Sequence, residues 1–98
     1  MPIDKAAVLK LKVRSILTTI DERPPSKQDH VTTPMAEHFN SILEEIGSAF
    51  PELKDNLPAP IKLGGAFEDL GVTQSALLDL RIYARQVLDL LELAQRNP

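Results

Sequence analysis

Between Gly71 and Pro98 no glycine or proline interrupts the chain, and the apolar residues of that stretch keep a helical rhythm. Leu77, Leu80, Ala84, Val87, Leu91 and Ala94 recur at alternating steps of three and four, which puts them on one face of an α-helix. Thr73 precedes the run and has a favourable N-cap side chain, so the spacing predicts a helix over about residues 74–95. At 1.5 Å per residue it would be ~33 Å long. Leu78, Ile82, Leu88, Leu90 and Leu93 fall outside that seam. The helix thus carries more apolar surface than one neighbour needs. Either it is central to a bundle or it is shared with another subunit.

Two further amphipathic stretches supply neighbours. Ala6, Leu9, Val13, Ile16 and Ile20 mark a helix over 4–20, with Asp4 as its cap and Pro24-Pro25 ending it. Lys10 and Arg14 lie on its flank, where they read first as a solvated charged face and otherwise as partners for acids of the other helices or of an acidic partner. Met35, Phe39, Ile42, Leu43, Ile46 and Phe50 mark a second helix over 34–49, capped by Thr33 and opened by Pro34. Residues 22–33 read as a polar linker with Val31 as its one anchor and His30 exposed. In the 51–70 connector, Pro51, Pro58, Pro60, Gly64 and Gly65 leave room only for short helical turns, near 52–57 and 66–70. Leu53, Leu57, Ile61, Leu63, Phe67 and Leu70 would form an exposed patch unless this segment seals the core. The expectation is an all-α fold: a small irregular bundle of three main helices with short helical turns in the 51–70 connector, residues 1–98 forming one domain.

Composition narrows the function. Apolar residues make up 43% and charged residues 26% of the 98, which suits a packed globule rather than a disordered segment. Cysteine is absent, so thiolate metal sites, cysteine nucleophiles and disulfides are excluded. No apolar run approaches the ~20 residues of a membrane span, and the first thirteen residues lack a signal-peptide pattern. A cytoplasmic location is expected. Residues 1–23 hold five bases and three acids, whereas 24–98 hold six bases and eleven acids. A chain with net charge −3 is repelled by phosphate backbones unless its bases are concentrated.

Residues 66–80 resemble a helix-turn-helix: a short helix, the turn Leu70-Gly71-Val72-Thr73, and a capped helix with Leu77 and Leu80 inside. The resemblance implies that Gln74, Ser75, Arg81 and Arg85 would face nucleic acid. Glu68, Asp69 and Asp79 set negative charge beside that face, and bulky Phe67 takes a small-residue position, so nucleic acid is the lesser expectation. His38, Ser41 and Glu45 share a helical stripe, but hydrolysis needs a nucleophile on an exposed turn and an oxyanion hole. The two histidines, His30 and His38, have no metal-ligand spacing. Lys62-Leu63-Gly64-Gly65 lacks the Lys-Ser/Thr of a phosphate loop. A ligand pocket near His38, lined by Phe39 and Phe67, is a third and weaker reading. No cofactor, metal or membrane partner is expected. The leading expectation is a non-enzymatic protein-interaction module, self-associating as a homodimer through the last helix at Leu78, Ile82, Leu90 and Leu93.

Overall fold

The computed structural model describes residues 4–22, 25–26, 28–65 and 68–96. The fold is all-α in its mass, with three main helices: α1 (Lys5–Glu22), α2 (Thr33–Ala49) and α3 (Leu77–Arg96). Asp4 caps α1 as expected: its Oδ1 accepts from the Ala6 N–H at 3.0 Å. Helix α2 begins one residue earlier than its sequence suggests. Thr32, not Thr33, is the cap; its backbone is extended, and its hydroxyl accepts from the Met35 N–H at 3.3 Å. The connector carries short 3-10 helices at Pro51–Asn56 and Glu68–Leu70. Phe67, expected to help seal the core, lies outside the described residues.

Two strands were not foreseen. β1 (His30–Thr32) sits inside the expected linker and pairs antiparallel with β2 (Val72–Ala76). Their ladder pairs His30 with Ala76 and Thr32 with Val72, so β2 bulges between those pairs. The helix expected from residue 74 therefore starts at Leu77, and Thr73 is a buried strand residue rather than a helix cap. The Thr73 hydroxyl accepts from the Ser75 N–H at 3.2 Å, which satisfies a backbone amide inside the bulge. His30, read as exposed, is half-buried in β1.

The ladder also starts two helices. Each strand runs directly into one: β1 into α2, β2 into α3. The first amide of α2, on Thr33, donates to the Gly71 carbonyl at 3.0 Å, and the first amide of α3, on Leu77, donates to the Asp29 carbonyl at 2.8 Å. Helical first-turn amides have no partner within their own helix. Here each is captured by the opposite arm of the ladder. Gly71 adopts φ +74°, a left-handed conformation that costs a side chain energy, and so turns the chain into β2.

The core is one continuous cluster. Leu9, Val13, Ile16 and Ile20 of α1 meet Phe39, Ile42 and Ile46 of α2 and Leu80, Ala84, Val87 and Leu91 of α3. Ala36 and Leu43 of α2, Val31 of β1, Leu53 and Ile61 belong to the same cluster. α1 lies along α3 in the antiparallel sense: Lys10 Nζ is 3.6 Å from the Glu92 carboxylate, and Arg81 is 3.0 Å from Asp21 at the far end. Glu92 thus reaches across to α1. Lys12 pairs with Glu45 of α2 at 2.9 Å.

Ile61 is held by a contact the sequence did not announce. The Asn40 carboxamide binds both backbone groups of Ile61: Oδ1 accepts from its N–H at 2.7 Å, and Nδ2 donates to its carbonyl at 2.9 Å. Asn40 lies on the same α2 stripe as Ala36 and Leu43, where a polar residue needs a partner to be tolerated.

Candidate functional site

The seam of α3 faces inward as its spacing dictates. Leu80, Ala84, Val87 and Leu91 are buried, and Leu77 and Ala94 are half-buried against the same core. Rotating the helix by half a turn brings Asp79, Ile82, Gln86, Asp89, Leu93 and Arg96 to the other side. They too follow three- and four-residue steps, and every one is exposed. Ile82 and Leu93 keep 54% and 51% of their surface in solvent.

The four expected contact residues therefore separate. Ile82 and Leu93 lie on the outward stripe. Leu78 is half-buried beside it, and Leu90 is half-buried and packs against the core. The stripe's two large apolar residues thus stay about half in solvent. Among the described residues, the other exposed large apolar side chains are Val8 and Leu11 on α1, Leu63 and Leu70 in the connector, and Tyr83 on α3.

The charged groups beside this face are arranged in two sets. Toward α1, Lys10 Nζ donates to Gln95 Oε1 at 2.9 Å, and Gln95 Nε2 donates to Asp4 Oδ2 at 2.7 Å. The Gln95 hydrogen bond holds the Asp4 carboxyl below its ordinary value; desolvation is the next largest effect and opposes it, and the Ala6 and Ala7 amides and Lys10 add smaller downward contributions. On the outward stripe, Asp79 stands in the first turn and Arg96 in the last, where each complements the helix dipole.

The residues expected to face nucleic acid do not assemble as a recognition helix. Gln74 and Ser75 belong to β2. The Gln74 side chain lies across Gly65, so close that a Cβ there would fall 2.8 Å from Nε2. Arg81 is tied to Asp21, and Arg85 is exposed on α3. The turn-and-helix reading of residues 70–80 gives way to a strand followed by a helix, because Val72 and Thr73 find a partner strand in β1.

Elsewhere the structure brings few chemical groups together. His38 and Ser41 are exposed on α2, and Glu45 of the same stripe is occupied by Lys12. Phe39 is fully buried, so it does not line a pocket beside His38. An open groove of about 750 Å³ lies between α2 and the connector, with Leu43, Lys54, Leu57 and Leu63 among its walls. Its Asn40 is already committed to Ile61. Among the described residues no cluster of His, Asp and Glu could hold a metal ion, and no helix is long and apolar enough to cross a membrane. Set against known protein families, curated proteins and solved structures, the chain matches none of them significantly.

Proposed function

We propose that this chain is a non-enzymatic protein-interaction module that pairs with a second copy of itself through the outward face of α3. One observation carries the reading: Ile82 and Leu93, eleven residues apart on one stripe, remain half in solvent although the opposite seam already closes the core. Apolar side chains left half in solvent gain by being covered on association. The stripe holds only two such residues per copy, so association is weak and reversible, in the micromolar range, rather than obligate.

Sedimentation velocity across a micromolar concentration series tests this. A concentration-dependent dimer that Ile82→Asp abolishes supports it. A strict monomer at every concentration refutes it. The same proposal places the module in the cytoplasm: small secreted domains usually rely on disulfides, and this chain has no cysteine to form one. Cell fractionation checks that placement.

A further inference from the structure

The polar and apolar positions on the outward stripe of α3 are symmetric about its centre, and its two ends are opposite in charge. Its residues are Asp79, Ile82, Gln86, Asp89, Leu93 and Arg96. Place a two-fold axis midway between Val87 and Leu88 and run a second α3 antiparallel. Asp79 then falls opposite the partner's Arg96, Ile82 opposite the partner's Leu93, and Gln86 opposite the partner's Asp89. Each pairing occurs twice by symmetry, as a self-complementary two-fold interface requires.

We infer that two copies of this chain associate through an antiparallel α3–α3 pair in this register. The inference rests on the self-association proposed above and adds its geometry. Three chemical features support it together. Acid meets base at both ends of the pair. The apolar layers formed by Ile82 and Leu93 lie just inside those ends. At the centre, the Gln86 carboxamide is a donor facing the acceptor carboxylate of Asp89. A parallel pair would instead oppose Asp79 to Asp79, Asp89 to Asp89 and Arg96 to Arg96, setting like charges against one another at three levels. The antiparallel pair also opposes the two helix dipoles, while a parallel pair aligns them. The three- and four-residue spacing of the stripe suits a left-handed helix pair crossing at ~20°.

The absence of cysteine makes the register directly measurable. Ile82→Cys and Leu93→Cys would be made in separate full-length chains, and thermal melts would confirm that both keep the fold. In the antiparallel register, residue 82 of one copy lies ~16 Å along the axis from residue 82 of the other. A disulfide needs Cα atoms within ~7 Å. Under a glutathione redox buffer, neither chain alone should cross-link, and an equimolar mixture should give the covalent dimer. Cross-linking of each chain with itself overturns the antiparallel register while leaving self-association standing. So does a wild-type dimer with no cross-link in any combination. A wild-type monomer overturns both.

A charge reversal reads the ends of the pair. Asp79→Arg should weaken dimerisation about fivefold at low salt, within the range for exposed ion pairs turned repulsive. The double variant Asp79→Arg with Arg96→Asp should restore it. A double variant that dimerises no better than the single one refutes the end-to-end pairing.

Discussion

Replacing Asn40 with Ala removes a clamp rather than a core side chain, and its cost can be worked from the contacts. Two hydrogen bonds disappear, from the Ile61 N–H at 2.7 Å and to the Ile61 carbonyl at 2.9 Å. Each contributes about 1 kcal/mol net, so the direct loss is ~2 kcal/mol. Both bonds are only partly buried, so water can take over some of the lost partners and the desolvation penalty is incomplete. If Ile61 also leaves the core, where it is buried, up to a further ~2 kcal/mol of burial goes with it. We expect a total of about 2–4 kcal/mol, which for a chain of this size lowers the melting temperature by roughly 10–20 °C. Urea unfolding followed by far-UV circular dichroism measures it, with Asn56→Ala, an exposed position, as control. The same substitution in an Ile61→Ala background should cost at least ~1 kcal/mol less, because the clamp then holds less apolar surface. A loss under ~0.5 kcal/mol, or an equal loss in both backgrounds, would falsify the idea that Asn40 acts by seating Ile61.

Three further outcomes follow from the same structure. Thr73→Val keeps the β-branched shape but leaves the Ser75 amide without its acceptor; it should cost about 1–2 kcal/mol with no loss of helical circular dichroism, whereas a helix-capping role would lower helicity. Asp4 has a depressed carboxyl pKa, so its contribution to stability is present above the ordinary value of 3.8 and is lost as pH falls through the lower folded value. Asp4→Asn should therefore flatten the acid limb of the stability curve, and an NMR titration of Asp4 should show a midpoint below 3.8. Leu80→Ala and Ile82→Asp separate the two faces of α3: the first should lose about 2–5 kcal/mol of fold stability, while the second should change the monomer by less than ~0.5 kcal/mol. Equal destabilisation by both would show that Ile82 belongs to the core.

The helices were legible because their apolar periodicity coincides with what they bury. Leu9, Val13, Ile16 and Ile20 of α1, and Leu80, Ala84, Val87 and Leu91 of α3, are the residues that the spacing put inside. Thr32 and Thr33 stand side by side, and either hydroxyl could cap α2 by residue type; the extended backbone at Thr32 decides between them. The two strands were hidden for a different reason. β1 is three residues long, too short to show a two-residue alternation, and its partner lies about forty positions away. Without that partner, Val72 to Ser75 reads as a turn and a cap. Asn40 left a readable trace, a polar residue inside an apolar stripe, but not the identity of its partner. At the candidate site, the surplus of apolar residues on α3 was visible in the sequence. Which of them stays in solvent was not, because Leu90 is withdrawn by packing that periodicity alone does not describe.

The reciprocal capture of the Thr33 and Leu77 amides has a consequence for the order in which the chain becomes ordered during synthesis. The bonds that start α2 reach forward to Gly71, and those that start α3 reach back to Asp29. Closing a loop of about forty residues costs on the order of 3 kcal/mol of chain entropy before any contact repays it. Until α3 emerges, α1 lacks the helix against which it packs most extensively, and β1 has no second strand. A nascent chain halted near Gly71 would therefore expose the apolar side of α1 and be vulnerable to proteases and to aggregation. The arrival of Leu77 completes the ladder and both helix starts, and the emergence of α3 through Leu91 then covers the α1 face, so the last quarter of the chain closes the whole core.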